Sequence, residues 1–361
     1  MRLKADKHGI IAKPYYIMLK TIVFNSWIEK IGSRFRRGWL AFFDIGAAMG
    51  IGLLAFVIYG FINNAVGLFR HSSSAGPTLL IIPLPGLTIG WDIFPYILLA
   101  IAVLLIPHEV AHGIAGVLDK VPLKSSGVFM AIFLPGGFVE IDEENLAKRK
   151  ARTKLRVFAA GSFTNVATWA LVLLLLVALF QSSPTGVLVT GFTNGSPAQA
   201  QGMPQWSIIT QVNNNTTPDV QHLGAYLASL APGAVVTVHL SNPSQTLTVT
   251  TGKSETNATR AILGVQTANY VPLRYQFLPV TSTYQLLTAF SWMQLILLGV
   301  ALVNMLPLFP FDGDRYLDTL LGVLGLKNTK NVRTVASVIS LGLLGSNIIL
   351  SYILFGTIFP R

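Results

Sequence analysis

Five apolar stretches dominate this chain, from Trp39 to Ile62, Ile93 to Leu118, Val157 to Phe180, Tyr284 to Leu306 and Thr334 to Phe359. Each is long enough to cross a hydrocarbon core of about 30 Å, which takes roughly 20 helical residues. In that medium backbone amides must be bonded internally, so each stretch is expected to be a transmembrane helix. Only 11% of the residues are charged and 52% are hydrophobic, whereas a soluble domain carries about 25% charged residues. The chain contains no cysteine. Disulfides, iron–sulfur clusters and thiolate catalysis are thereby excluded, and a side-chain metal site must use nitrogen and oxygen donors.

A formal charge of +11 raises nucleic acid as a partner. The placement of the basic residues argues against it. If residues 1–38 form a cytosolic arm, alternation of the spans puts nine Lys/Arg of that arm inside, eight more between Asp119 and Arg156, and four after the fourth span. Only Arg70, Lys253, Arg260, Arg274 and Arg361 of the 26 Lys/Arg then lie outside. That asymmetry is the one expected of a multi-pass protein of the cell membrane with its N-terminus in the cytosol, and it removes the support for nucleic acid. The arm is too long and too charged for the n-region of a signal peptide.

Between the third and fourth spans lies a polar segment rich in Thr, Asn, Gly and Pro. Short β-type runs occur at Val187–Thr190, Ser207–Val212, Val235–Leu240 and Thr246–Thr250. It is expected to be a small soluble domain on the outer side, compatible with sequons at Asn214, Asn215 and Asn257, although such triplets arise readily by chance here.

The second span contains Pro107-His108-Glu109-Val110-Ala111-His112. On a helix His108 and His112 project from one face a turn apart, so both imidazoles can hold one Zn²⁺, while Glu109 sits about 100° round, beside the metal. A chance pairing is disfavoured within an apolar span, where each ionisable residue costs about 2.5 kcal/mol or more unless paired, ligated or hydrated. Hydrolytic zinc usually takes a third protein ligand. The best candidate is Asp312 in Asn304-Met-Leu-Pro307-Leu-Phe-Pro310-Phe-Asp312-Gly313, where two prolines break the fourth span. The competing reading of Asp312-Gly313 is an ordinary helix-ending turn. Two imidazoles and one carboxylate would leave the site at +1, which a hydroxide neutralises. Glu109 would then act as general base and acid on a metal-activated water. Both halves of the site would lie towards the cytosolic side.

These residues resemble the site-2 protease family of intramembrane zinc metalloproteases, in its PDZ-containing prokaryotic type. His108 to His112 matches its H-E-x-x-H signature, and Asn304 to Gly313 matches N-x-x-P-x-x-P-x-D-G at every fixed position. Gly161-Ser162-Phe163-Thr164-Asn165 is similar to the family's G-P-x-x-N element, with Ser162 in place of the proline, and Leu134 to Val139 resembles its Pro-x-Gly-Gly hairpin. Asn194 to Met203, followed by Ile208-Ile209 and Val212-Asn213, is similar to the PDZ domains inserted in this family.

The resemblance implies one zinc per chain, transmembrane protein substrates cut within or near the bilayer, and Asn304 and Asn165 orienting the substrate backbone or oxyanion. Each Asn could equally make an interhelical hydrogen bond. The run from Gly127 to Ile141, with an expected corner at Gly136 and Gly137, could offer a strand edge to substrate or be a plain connector. The PDZ-like domain could filter ectodomains by peptide contact or act as a spacer.

The expected architecture is α-helical and polytopic, with about five transmembrane helices and an inserted PDZ-like β-rich soluble domain. Its divisions are the basic arm at 1–38, the first helix and external loop at 39–92, and catalytic membrane core at 93–181. The PDZ-like domain follows at 182–276, then the second part of the core at 277–361. The rival functions are an ion transporter, which would not need Glu109 beside His108, and a silent adaptor, which would usually have lost a ligand or the base. Asp142 to Arg156 reads as a solvated amphipathic surface helix, and Asp44, at helix depth, has no evident partner.

Overall fold

The computed structural model describes residues 9–13, 16–131, 134–254 and 258–360. Arg2, Lys4 and Lys7 of the basic arm, the sequon at Asn257 and Arg361 lie outside the described residues. In chain order the elements are β1 (Ile10–Lys13), β2 (Tyr16–Thr21), α1 (Val23–Arg34), α2 (Arg36–Phe69), α3 (Phe94–Leu118), β3 (Leu123–Ala131), β4 (Leu134–Ile141), α4 (Glu143–Ala147) and α5 (Ala151–Leu179). Then come β5 (Gly186–Phe192), α6 (Pro197–Ala200), β6 (Ile208–Val212), β7 (Asn215–Thr216), α7 (Val220–Ala228), β8 (Val235–Ser241), β9 (Ser244–Thr250), β10 (Gly252–Lys253), β11 (Ala261–Ile262) and β12 (Val265–Tyr270). The chain closes with α8 (Val280–Asn304), α9 (Asp312–Val323) and α10 (Lys330–Phe355). Among the described residues, five helices are long and apolar enough to cross a membrane: α2, α3, α5, α8 and α10. The chain divides into two compact units, Met1–Val172 with Ser291–Arg361, and Leu173–Phe290.

In the first unit the helices pack where small residues admit large ones, as expected where lipid supplies no hydrophobic drive between spans. Gly46 and Gly50, one turn apart on α2, receive the rings of Phe163 and Tyr316; a Cβ at either would lie 2.7 Å from ring carbon. Tyr316 is fully buried and its hydroxyl donates to the Ala47 carbonyl at 2.5 Å. At the other end of α2, buried Asn347 of α10 donates to the Phe61 carbonyl and accepts from Asn64.

Asp44 is the junction of an ion network. It accepts from Arg152 at 2.9 and 2.6 Å and from Arg156 at 2.6 and 2.8 Å, and Arg156 also donates to Asp119 at 3.1 Å. Arg156 is only 6% exposed, so α2, α3 and α5 share one buried guanidinium. The expected surface helix over Asp142–Arg156 is therefore corrected. The short α4 ends at Ala147, and α5 has already begun by Ala151, because Arg152 and Arg156 find their counter-charge in the first span and are drawn into the membrane helix.

The described part of the basic arm is folded onto this unit. Strands β1-β2-β3-β4 form an antiparallel sheet in that order, with Thr21 opposite Ser126 and Val128 opposite Gly137. Lys20 of β2 and Ser125 of β3 both donate to Glu140 of β4 at 2.6 Å, Lys20 first in holding that carboxyl below its ordinary pKa. Gly136 and Gly137 do not form the expected corner. They lie within β4 opposite Phe129 and Val128, because a side chain at Gly136 would overlap the Phe129 ring and one at Gly137 would approach Glu109 Cγ to 3.2 Å. Helix α1 packs on α3, where a Cβ at Gly113 would lie 3.0 Å from the Ile28 side chain.

The second unit is β-rich. Its main sheet runs β12-β5-β6-β8-β9, all antiparallel, with β7 paired to β6. Val187, Val189, Ile209, Val212, Val236, Val238 and Val249 form its core with Leu223 and Leu227 of α7. Ser196 caps α6 by accepting from the Gln199 amide at 3.1 Å.

Replacing Arg156 with Gln leaves Asp119 without the only arginine it is bonded to here and removes the shared charge from three helices. The expected cost is about 3 kcal/mol, read as a lower thermal midpoint of the detergent-solubilised protein, while Lys253→Gln on the second unit leaves that midpoint unchanged.

Candidate metal centre

The site lies between α3 and α5, where the α3 histidines meet Gly161, Val157 and Asn165 of α5. His108 and His112, separated by one turn of α3, are 7% and 9% exposed. Their Nε2 atoms lie 3.2 Å apart, and Asp312 Oδ2 is 3.6 Å from His108 Nε2 and 3.1 Å from His112 Nε2. Among the described residues these three form the one group of candidate metal donors, with all ligating atoms within 4.8 Å of one another. The two histidines and Asp312, separated by about two hundred residues in the chain, are thus brought together.

Asp312 arrives through a backbone that the sequence reading described only as broken. Helix α8 ends at Asn304, the prolines fall between, and Asp312 is the first residue of α9. The competing reading of Asp312-Gly313 as a solvated turn gives way to a helix start, where an acidic side chain complements the positive end of the helix dipole. Gly313 follows because a Cβ there would run into the Met305 and Leu306 carbonyls. One turn into α9, Asp314 is 2% exposed and ion-paired to Arg333 of α10, which ties α9 to the last span.

Second contacts set the rings. His112 Nδ1 is 2.7 Å from the Val157 carbonyl. A carbonyl can only accept, so Nδ1 carries the proton and Nε2 presents its lone pair to the centre. Asn165 Nδ2 lies 2.9 Å from His108 Nδ1, and Asn165 is fully buried. Asn304 Nδ2 donates to Asp312 Oδ2 at 2.7 Å and stands 3.3 Å from His108 Nε2. Ser162, in the proline position of the resembled element, is fully buried, and its hydroxyl has no hydrogen-bond partner.

Glu109 lies on the same helix but faces elsewhere. It is partly exposed, and its Oε2 accepts from the Val139 backbone amide of β4 at 3.2 Å. It lines an apolar groove of about 1100 Å³ whose walls include Phe24 and Trp27 of α1, Leu105 of α3 and Gly136 and Gly137 of β4. Among the described residues, β4 is the outer strand of its sheet, with one edge free of strand partners.

The donor set suits zinc. Two imidazole nitrogens and a carboxylate oxygen converge, one imidazole has its tautomer set by a carbonyl, and three protein donors are the number that hydrolytic zinc sites use. Gly161 makes this arrangement sterically feasible, a role the sequence reading did not assign it. A Cβ at that position would lie 2.5 Å from His112 Nε2 and would overlap the His108 ring. Its signal was present in the spacing: Gly161 and Asn165 sit one turn apart and so face α3 together. Gly161→Ala is expected to lower Zn²⁺ affinity at least about tenfold in chelator competition, whereas Gly60→Ala, whose added methyl would meet open space, leaves it unchanged.

The model of Peptidase family M50 matches residues 96–346. The chain is 26% identical over 168 residues to a membrane-bound transcription factor site-2 protease homolog of Arabidopsis thaliana, covering 45% of this chain and 32% of the plant protein. It is 24% identical over 226 residues to an uncharacterized protein of Methanocaldococcus jannaschii, covering 62% of this chain and 56% of the archaeal protein. The matched regions therefore span about a third and somewhat over half of these relatives' lengths. Among solved structures, the chain is similar to the PDZ domain of the SdrC-like protein from Listeria monocytogenes, at 17% identity and a TM-score of 0.21, covering 24% of this chain and 92% of that domain. The family match runs from the first turn of α3 into α10 and takes in both halves of the donor cluster: the chain belongs to Peptidase family M50 and is a multi-pass membrane protein.

Proposed function

We propose that this chain is an intramembrane zinc metalloprotease that hydrolyses peptide bonds within or near transmembrane segments of other proteins. The observation that carries the reading is the convergence of His108, His112 and Asp312, next in the chain to Glu109, which lines an apolar groove. A Zn²⁺ held by those three residues supplies Lewis acidity towards a scissile carbonyl and a water that ionises near neutral pH. Glu109 takes the proton from that water and returns it to the leaving amine. Its hydrogen bond from the Val139 amide keeps one carboxylate oxygen occupied and leaves the other to work. Asn304, which donates to Asp312 at 2.7 Å, orients that ligand, and on this reading it contacts substrate backbone.

A transmembrane helix has its amides bonded internally, so it must unwind before cleavage, and the freed amides need partners. The open edge of β4 at Gly136 and Gly137, at the groove and next to Glu109, suits that role. The groove's other walls are apolar enough to keep the segment in a lipid-like setting.

The charge asymmetry supports a cell-membrane protein with its N-terminus and active site towards the cytosol and the β-rich unit outside. On this reading that unit is a PDZ-like domain that filters substrates by contact with extended peptide.

Purified protein in detergent is expected to hold one Zn²⁺ per chain and to cleave a transmembrane reporter. Glu109→Gln should retain the metal and lose cleavage by at least about a thousandfold, since proton transfer and the activated water fail together. Cleavage by that variant at the wild-type rate would sink the reading.

A further inference from the structure

Among the described residues, Asn165 is the one buried polar side chain that touches a candidate ligand while keeping an atom unused. It is fully buried. Its Nδ2 is 2.9 Å from His108 Nδ1, and its Oδ1 has no hydrogen-bond partner among the described residues. With the amide in this orientation Nδ2–H donates to Nδ1, so a neutral His108 carries its proton on Nε2. Without metal, His108 Nε2–H can then donate to His112 Nε2 at 3.2 Å, whose lone pair is free once its own Nδ1–H is given to Val157. That arrangement cannot hold a metal through His108, since the nitrogen facing Asp312 bears a hydrogen. Turning the amide by half a rotation about its last bond exchanges two atoms of nearly equal size. Oδ1 then accepts from His108 Nδ1–H, and the Nε2 lone pair faces the centre. Either orientation leaves one amide atom unpaired, so the occupant of the site decides between them.

We infer that Asn165 is a positioning residue for the metal: its side-chain carbonyl accepts from His108 Nδ1–H in the loaded enzyme, as the Val157 carbonyl does for His112, and its amide turns over when metal enters. This rests on the zinc reading above and departs from the expectation that Asn165 contacts substrate. Two features beyond the distance support it. Asn165 and Val157 lie on the same helix and serve the two ligands of the facing helix, and Gly161 between them provides the clearance that lets both rings approach α5.

The two roles require opposite chemistry from the side chain. A substrate or oxyanion contact needs the N–H donor, whereas positioning needs only an acceptor. The test is Zn²⁺ affinity by competition with a chromophoric chelator on the full-length protein in detergent, for wild type, Asn165→Leu and Asn165→Asp, with reporter cleavage measured at saturating Zn²⁺. Asn165→Leu keeps the size and loses the acceptor, and should bind Zn²⁺ about 10- to 100-fold more weakly. Asn165→Asp keeps the acceptor and loses the donor, and should bind within about threefold of wild type or more tightly and still cleave when loaded. Unchanged affinity in Asn165→Leu, or loss in Asn165→Asp equal to that in Asn165→Leu, overturns the inference. So does loaded Asn165→Asp that no longer cleaves, which would return Asn165 to the substrate. A wild-type protein that binds no Zn²⁺ overturns the metalloprotease reading itself, which separates the two failures.

Discussion

The approach of α5 to α3 at Gly161 is the contact on which the rest depends. Two imidazole rings occupy the volume that a single methyl group would fill. Because the helices can close to that distance, the Val157 carbonyl reaches one ring and Asn165 the other. Towards the start of α5, Arg156 fastens the same pair of helices by bonding to Asp119 at the foot of α3 and to Asp44 on α2. Small residues and a buried ion network do here what hydrophobic burial does in water, since a lipid-facing span gains little by exchanging tails for leucine.

Much of this was legible in the chain. Span lengths follow from bilayer thickness, and the five expected stretches agree with the five helices to within a few residues at each end, apart from the first, which continues to Phe69, and the third, which begins six residues earlier at Ala151. The β-type runs of the polar segment recur as β5, β6, β8 and β9. The resemblance to the site-2 protease family, carried by H-E-x-x-H and N-x-x-P-x-x-P-x-D-G, agrees with the family match. The meeting of Asp312 with both histidines was readable because few acidic residues lie near spans, so elimination alone narrowed the choice.

What escaped the sequence reading shares one cause: its partner is far away in the chain. Asp44 looked isolated because its guanidinium partners lie more than a hundred residues on. Arg152 and Arg156 looked like a surface face for the same reason. The exposed apolar residues of β2 read as part of a charged arm, although besides β1 the strand pairs with the distant β3. Helix α9 was hidden by an Asp-Gly pair that usually marks a turn; here the glycine answers to two carbonyls pressed against it, and the aspartate to a helix dipole.

The bond from the Val139 amide to Glu109 joins the carboxylate to main chain, not to a side chain. Any residue except proline supplies the same donor, so the hydrogen bond itself places no demand on the side chain at position 139. The strand beside the groove and the carboxylate on α3 are thus coupled through backbone alone. On the proposed reading, the side chains of β4 can change without removing the donor that holds the general base.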